Sequence, residues 1–214
     1  MKRKFLLFLL IAVSSTQIVK AQIPKGTIFL GGQVGFGIGK TDSENSIPDS
    51  RQTNYSFAPA IGVFVKNNLV WGGDVYVNGY RYNYESIPDQ KQFSTGLGVF
   101  VRQYLPVLDR LYLFGQGRFN AGYLSENSFN GSTNVKGKGY NVSIGISPGI
   151  SFALKKNIHL ESSFAGLASI SFSHIKRTYD DLPGAVSKSN SFSIGGNLNN
   201  AAEFTIGIRF LLEK

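Results

Sequence analysis

The pattern of apolar and polar positions is clearest between Tyr140 and Leu160. Bulky apolar side chains recur there at every second residue, at Tyr140, Val142, Ile144, Ile146, Pro148, Ile150, Phe152 and Leu154. The positions between them, from Asn141 to Ala153, are small or polar. Because successive side chains of an extended strand point to opposite faces, this pattern predicts a β-strand with one apolar face and one small, mostly polar face.

The same alternation recurs in seven other segments. The eight predicted strands lie near residues 26–40, 54–66, 69–83, 92–105, 110–124, 140–160, 157–173 and 201–212. Tight polar turns at residues 66–68, 106–109 and 155–157 alternate with longer polar connections at residues 41–53, 84–91, 125–137 and 174–200. Short turns on one side and long loops on the other are typical of an all-β, eight-stranded antiparallel up-and-down transmembrane β-barrel.

Aromatic residues mark both ends of the predicted apolar faces. Trp71, Phe152 and Phe210 lie near the turn side. The loop-side aromatics are Tyr55, Phe57, Phe93, Tyr123, Tyr140 and Phe172. Two aromatic belts around an aliphatic band are the pattern of a barrel that crosses a lipid bilayer. A soluble lipocalin-like carrier is the alternative, but it would turn the bulky face inward around its ligand.

The first 21 residues have the order of a secretory signal peptide. A basic Lys2-Arg3-Lys4 start precedes a short apolar run, and Val19-Lys20-Ala21 supplies small residues for cleavage after Ala21. We therefore expect a signal peptide over residues 1–21 and one barrel domain over residues 22–214. Removing the four basic residues of the leader lowers the formal net charge from +9 to +5. The remaining basic residues are spread along the chain, so no nucleic-acid partner is predicted.

Composition and proline positions refine this interpretation. Gly 25, Phe 17 and Tyr 10 are abundant, and Cys is absent, which excludes both a disulfide framework and a lipid-bearing cysteine. Pro59 and Pro148 both fall within predicted strands. Since proline lacks the N–H group of the ladder, we expect a bulge or a missing hydrogen bond at each.

The end of the chain carries a resemblance to a known family. Thr205, Gly207, Phe210 and Leu212 place a polar residue, a glycine and two apolar residues on alternate faces, and two further residues follow. With the leader and the eight strands, this ending resembles the small OmpA/OmpX-type outer membrane β-barrel domain proteins. The resemblance implies location in the bacterial outer membrane and recognition of these four residues by the barrel-assembly machinery. It says little about activity.

Charged residues are also present on the face opposite the apolar one. This inward set is Asp74, Arg102, Arg118, Glu161, Glu203 and Arg209. Buried charges require partners, and three acids with three bases can form a balanced network that plugs the lumen. We expect Asp74 to pair with Arg102, Glu161 with Arg209, and Arg118 with Glu203 across the lumen. A narrow water-filled pore with charged walls is the alternative.

Residues suited to catalysis are few. His159 has no hydroxyl partner obvious from the sequence, and in a strand Ser171 and Ser173 face away from His174. We therefore predict that the protein is not an enzyme and has no metal site and no cofactor. A lipid-modifying outer-membrane enzyme remains an alternative, because some eight-stranded barrels that resemble this one are lipid A acylhydrolases or acyltransferases. Hydrolysis by a serine needs a histidine within hydrogen-bond reach and usually a carboxylate that orients it.

The predicted role is structural or surface-interacting. Expected partners are outer-membrane lipid, the barrel-assembly machinery, and an extracellular molecule bound through loops 41–53, 125–137 and 174–200. The last loop is the longest and contains Tyr179, Asp180, Asp181 and Leu182, the most recognition-like side chains among the loops. The alternatives are a narrow passive pore, a lipid-modifying enzyme and a soluble ligand carrier.

Overall fold

The protein is described here by a computed structural model that covers residues 22–41, 50–84, 87–129, 131–164, 167–182, 184–195 and 204–213. The predicted signal peptide lies outside these residues. Within them the chain forms ten strands: β1 (Ile28–Thr41), β2 (Ser50–Lys66), β3 (Leu69–Tyr84), β4 (Ile87–Leu108), β5 (Leu111–Phe129), β6 (Asn134–Lys155), β7 (Ile158–Phe164), β8 (Ala168–Tyr179), β9 (Val186–Gly195) and β10 (Phe204–Leu212).

Eight of these strands close into a ring. Strands β1 to β6 pair antiparallel in chain order. Around the rest of the ring, β6 pairs with β7, β7 pairs with β10, and β10 pairs with β1 over Ile28–Val34. The predicted eight-stranded antiparallel barrel is therefore confirmed. No helix in the described part of the chain is long and apolar enough to cross a membrane.

The prediction of a loop over residues 174–200 was wrong. β8 continues to Tyr179 and pairs with β9 from Ser169↔Gly195 to Thr178↔Val186, which makes a long hairpin. The long strand β6 supports both parts, because it pairs with β8 over Val135–Ile146 and with β7 over Gly149–Lys155. The polar composition was misleading, since a strand beyond the bilayer needs no apolar outer face.

Three other predicted connections are shorter than expected for the same reason. β2 already begins at Ser50, β4 begins at Ile87, and β5 extends to Phe129. On the opposite side the turns have two residues each. Those at residues 67–68 and 156–157 lie where they were predicted, whereas β4 continues to Leu108 and the third turn is residues 109–110, not 106–109. The barrel therefore has one short-turn rim and one rim of extended hairpins.

Both prolines interrupt the strand ladder. The β2–β3 pairs skip Ala58 and Pro59 without a change of register, so no bulge forms there. Pro148 lies where the pairing of β6 passes from β8, at Ile146↔Ala168, to β7, at Gly149↔Ser163. The expected missing pairing is observed at each proline, as required by the absent N–H donor.

The apolar face points outward. Ile144, Ile146 and Trp71 expose 55%, 52% and 60% of their surface, and they belong to a belt of large exposed apolar side chains around the barrel. A closed barrel satisfies its own backbone hydrogen bonds, so such a belt suits a lipid environment and not water. The inward face carries small, polar and charged residues together with a buried apolar group that includes Phe29, Phe64 and Phe100.

Candidate functional site in the barrel lumen

A buried charged cluster lies in the turn-side half of the lumen, with Glu161 at its centre. Arg102 Nη1 lies 2.6 Å and Arg209 Nε 2.9 Å from Glu161 Oε2. The hydroxyl of Tyr104 donates a 2.6 Å hydrogen bond to Glu161 Oε1 and accepts one of 3.0 Å from Arg102. The three ionised side chains expose 2% or less, so Glu161 offsets the two arginines only in part and the buried trio keeps a net positive charge.

Further acceptors complete the environment of the two guanidinium groups. Arg102 donates to Gln116 Oε1 from Nε at 2.8 Å and from Nη2 at 2.5 Å. Arg209 Nη1 donates to the backbone carbonyl oxygens of Gly32 and Ile208. Hydrogen bonds on several sides are what a buried ion pair needs to offset the loss of hydration.

Aromatic rings enclose this cluster. The guanidinium carbon of Arg102 lies 4.3 Å from the Phe114 ring centroid and 5.2 Å from that of Phe29. Arg209 lies 5.2 Å from the same Phe29 ring. Such cation–ring contacts strengthen when they are desolvated. The buried apolar residues of this half are Ile23, Phe29, Phe64, Val70, Phe100, Tyr104, Tyr112, Phe114, Ala153 and Leu211.

Strand register explains why these long side chains fit together. Arg102 on β4 is paired with Gln116 on β5, and Glu161 on β7 is flanked by Ser151 and Gly207 on its two neighbours. A Cβ added at Gly207 would lie 2.6 Å from the Gly32 carbonyl oxygen and 3.0 Å from Arg209 Nη1. Small residues beside Glu161 thus leave the space that Arg102 and Arg209 occupy.

Only some of the ion pairs predicted for the inward charges are present. Glu161 contacts Arg209, as expected, but Asp74 forms its ion pair with Arg118 and not with Arg102. The cause is the β3–β4 register, which places Val70 opposite Arg102 and sets Asp74 opposite Gly98. Glu203, the expected partner of Arg118, lies outside the described residues.

A serine–histidine contact escaped the sequence interpretation. Ser151 Oγ lies 3.0 Å from His159 Nδ1, and the two residues are 0% and 2% exposed. The pair is diagonal in the β6–β7 ladder, where Ser151 faces Glu161 and Ala153 faces His159. The signal was available in the two-residue turn that joins these strands, because it fixes which residues oppose each other. His174, by contrast, lies on the outer face and contacts Asn190 Oδ1 at 2.7 Å.

The segment that follows the predicted cleavage site covers the turn-side mouth. Ile23 is 5% exposed and belongs to the apolar cluster of the lumen. Its N–H donates to Asn68 Oδ1 at 2.8 Å, and its carbonyl accepts from the Asn68 N–H at 2.9 Å. Asn68 adopts φ 62°, a left-handed conformation that asparagine tolerates in turns. Ile23 is therefore tied to the β2–β3 turn.

The loop-side half of the lumen holds a cavity of about 620 Å³. Its polar lining comes from amide and hydroxyl side chains, including Gln33, Asn54, Tyr76, Asn78, Ser94, Gln116, Asn120, Asn141, Ser143, Ser163 and Thr205. Arg118, paired with Asp74, is its charged element. A second cavity of about 300 Å³ lies at the turn-side mouth beside Tyr112 and His159, and the two cavities share no lining residue.

Metal and assembly-signal positions complete the picture. Among the described residues, no group of three His, Asp or Glu side chains could hold a metal ion. Phe210 and Leu212 face outward with 42% and 45% exposure. Thr205 faces inward, where its hydroxyl lies 2.7 Å from that of Ser163, and Gly207 is buried on the same face. The four residues therefore alternate between the two faces, and their recognition by an assembly machinery stays a prediction.

Comparison with known proteins gives matches only among solved structures. No protein-family model and no curated protein matches the chain. Neisserial surface protein A (NspA) is 16% identical at a TM-score of 0.42, over 86% of this chain and 96% of that chain. Outer membrane protein OprG from Pseudomonas aeruginosa is 8% identical at a TM-score of 0.48, over 92% and 100%. Outer membrane protein Ail from Yersinia pestis is 14% identical at a TM-score of 0.26, over 87% and 100%.

The strand pairing and the exposed apolar belt of this chain define its fold. Pairing of β1 with β10 closes the ring of eight strands, whereas β9 pairs with β8 and has no second partner among the described strands. With eight antiparallel strands in a ring and apolar side chains turned outward, the chain has the fold of the small OmpA/OmpX-type outer-membrane barrels, as its sequence resemblance implied.

Proposed function

We propose that the protein is a closed, non-conducting barrel of the bacterial outer membrane with a structural or surface-interaction role. The observation that supports this most directly is the packed layer around Glu161, which separates the loop-side cavity from the turn-side cavity. An eight-stranded barrel has an interior just wide enough for side chains to fill, and the buried side chains of Arg102, Glu161 and Arg209 support such a plug in the turn-side half.

Opening a pathway through this layer is energetically unfavourable. Solutes would have to separate Arg102 and Arg209 from Glu161, all of which are buried. Removing one partner from a buried ion pair typically costs about 3–5 kcal/mol, because an uncompensated charge remains. The rings of Phe29 and Phe114 would also have to leave the guanidinium groups that they contact. A passive pore is therefore the weaker proposal.

The outward half of the molecule is suited to interaction. The hairpin of β8 and β9 extends the barrel wall, and the neutral polar cavity lies beside it in the loop-side half. A rigid barrel that carries such a surface resembles other scaffolds on which loops carry the function. We propose that the barrel anchors this surface and that the buried half keeps it rigid.

The Ser151–His159 contact is assigned a structural role in this proposal. Its 3.0 Å distance suits a nucleophile and its base, but Ser151 on β6 is completely buried. The nearest carboxylate in the ladder, that of Glu161, is held by Arg102, Arg209 and Tyr104. The turn-side cavity is lined by His159 but not by Ser151, so a substrate would have to displace packed side chains to reach the serine.

Cysteine labelling can test whether the lumen is closed. The chain has no Cys, so a single substitution creates a unique thiol. Ser143 and Ser151 face inward on the same strand, but Ser143 lines the loop-side cavity and Ser151 is fully buried. A membrane-impermeant thiol reagent added to intact cells should label Ser143→Cys and leave Ser151→Cys unmodified. The purified wild type should give no steady conductance in a planar bilayer, with an open porin as the positive control.

Three results would contradict this proposal. Rapid labelling of Ser151→Cys from outside, together with steady conductance, would establish an open pore. Recovery of the native protein in the soluble periplasmic fraction would exclude a membrane barrel. Hydrolysis of a lipid ester by the wild type, lost in Ser151→Ala and in His159→Ala, would establish an enzyme.

A further inference from the structure

The outer face of β6, β8 and β9 is layered from apolar to cationic. The register aligns Ile144, Ile170 and Ile194 in one row, Val142, Phe172 and Phe192 in the next, then Tyr140, His174 and Asn190, and finally Lys138, Lys176 and Lys188. We call this last row the lysine row. Its three side chains are exposed and lie on the same outward face as the apolar belt.

The lysine row is unusual because it places like charges directly opposite each other. Lys138 pairs with Lys176, and Lys176 pairs with Lys188. Directly opposed side chains in an antiparallel pair have Cβ atoms about 5 Å apart, and like charges at this spacing destabilise the sheet. Within the described residues no carboxylate forms an ion pair with these three lysines, whereas Lys136 beside them is paired with Asp180 at 2.9 Å. The row therefore offers a ready site for an anion.

The height of the row above the apolar belt indicates where that anion lies. Lys176 lies four positions along the strand from Phe172, so the row stands about 10 Å above the aromatic row at a rise of about 3.3 Å per residue and a tilt near 40°. The headgroup region of a bilayer adds about 5–7 Å to the hydrocarbon core on each side. Because lysine keeps its ammonium group at the end of a long flexible stem, it can reach down to headgroup phosphates.

The rows below the lysine row also match the parts of an amphiphilic molecule. Phe192 and Ile194 are 67% and 71% exposed, among the most exposed apolar side chains of the belt. Above them, the rings of Tyr140 and His174 stack at 5.4 Å, and His174 contacts Asn190. Acyl chains fit the apolar rows, a sugar ring fits the stacked and hydrogen-bonding row, and phosphate fits the lysine row.

We infer that this face binds a phosphorylated glycolipid of the outer leaflet, with its phosphates on Lys138, Lys176 and Lys188. This rests on the proposed outer-membrane function, which turns the hairpin rim outward. A lipid fits better than a soluble partner, because the row faces sideways, in continuity with the lipid-facing belt. Arg81 and Lys91, which lie opposite each other on β3 and β4, add basic charge elsewhere on the outer face, although Arg81 is paired with Asp89.

Binding to purified barrels provides the test. The mature chain is folded in neutral detergent and titrated with lipid A, a disaccharide lipid that carries two phosphates, and with the same lipid after dephosphorylation. The triple variant Lys138→Gln, Lys176→Gln, Lys188→Gln should bind lipid A about a hundredfold more weakly than the wild type, at roughly fivefold per lysine. The wild type should bind the dephosphorylated lipid as weakly as the triple variant binds lipid A.

A matched control lies on the opposite rim. Lys25, Lys66 and Lys155 are exposed on the turn side, so their triple substitution by Gln removes the same charge at the other membrane surface. This control should retain wild-type affinity, and circular dichroism should show that both triple variants are folded. An excess of inorganic phosphate should not release the lipid, because the apolar rows contribute to binding.

Several outcomes would overturn the inference. If the lysine-row variant bound lipid A with wild-type affinity, the lysine row would not be the binding site. If the turn-side control lost as much affinity, the binding would be non-specific charge attraction. Displacement by inorganic phosphate alone would leave a simple anion site. Because detergent-folded protein is used, none of these results depends on whether the lumen conducts or whether Ser151→Cys is labelled from outside.

Discussion

The two halves of the lumen share one strand pattern but are filled differently. In the turn-side half, long side chains such as Arg102, Tyr104 and Arg209 fill the space between the strands and expose 2% or less. In the loop-side half, serine and asparagine side chains leave a cavity of about 620 Å³. Parity decides which side chains face inward, and their size then decides whether the interior becomes a packed core or an open cavity.

The two halves differ in electrostatics as well. Glu161 is 1% exposed and forms ion pairs with two arginines, so the turn-side half resembles the interior of a soluble protein. Glu126 in the loop-side half contacts Arg177 at 2.5 Å, but these side chains are 17% and 30% exposed. Solvent screens the second pair, and screened ion pairs contribute little to stability. The difference can be tested by equivalent substitutions in each half.

The largest effect is expected for Glu161→Gln. This variant leaves two buried guanidinium groups without a negative partner, so it should lower the free energy of unfolding by about 3–5 kcal/mol. Urea titration of the barrel in lipid vesicles measures the change.

Glu126→Gln is the matched control, because it makes the same chemical change on the loop side. Its cost should stay within about 1 kcal/mol. Equal losses in the two variants would show that the halves do not differ in burial, and a neutral Glu161→Gln would show that the cluster is hydrated.

Sequence reasoning found the charged residues but not their partners. Alternation alone places Arg102, Glu161 and Arg209 on the inward face, because face assignment depends only on strand parity. The pairing of Asp74 with Arg118 depends on the registers of β3, β4 and β5, which alternation does not reveal. Residue chemistry was therefore predictable, whereas geometry across strands was not.

An intermediate effect is expected where the barrel wall meets lipid. Ile146 is 52% exposed on the outer face, so Ile146→Arg places a charge in the bilayer and should cost about 2–4 kcal/mol. The neighbouring Ser147 lines the loop-side cavity, which has room for a longer side chain. Ser147→Arg should therefore cost less than Ile146→Arg. Refolding yield and urea titration in vesicles measure both.

The relative stability losses of Ile146→Arg and Ser147→Arg test which face of β6 points towards lipid. A larger loss for Ser147→Arg would mean either that the cavity is already filled or that lumen and lipid faces were exchanged. Measuring Ser143→Arg, which lines the same cavity from β6, would separate the two, because only a filled cavity would also reject arginine there while Ile144→Arg remained costly.

Features that depend on turns were the ones that sequence reasoning missed. The β8–β9 hairpin was interpreted as a loop because its outer face changes from Phe192 and Ile194 to Asn190 and Lys188. That change reflects passage out of the lipid and not the end of a strand. Likewise, the contact of Ser151 with His159 and the hydrogen bonds of Ile23 to Asn68 arise from turn geometry, which alternation does not encode.

The smallest effects are expected for two glycines on neighbouring strands. Gly149 is paired with Phe114, and a Cβ added at Gly149 would meet the Phe114 ring, which contacts Arg102. Gly149→Ala should therefore displace the ring and cost about 1–3 kcal/mol, as overpacking of a core does. A Cβ added at Gly115 meets nothing within 4 Å, so Gly115→Ala should be neutral or stabilising by up to about 1 kcal/mol.

This pair distinguishes a packed interior from a loosely filled one. Both variants add one methyl group to a strand glycine, so their intrinsic effects on the unfolded chain cancel in the comparison. Gly115 lies on the exposed outer face, so the difference in free energy of unfolding mainly reports the space around Phe114. If Gly149→Ala is as well tolerated as Gly115→Ala in urea titrations, the Phe114 ring can move aside, and the turn-side half is packed as loosely as the loop-side half. A loss confined to Gly149→Ala, reduced when Phe114→Leu is added, would place the constraint on that ring.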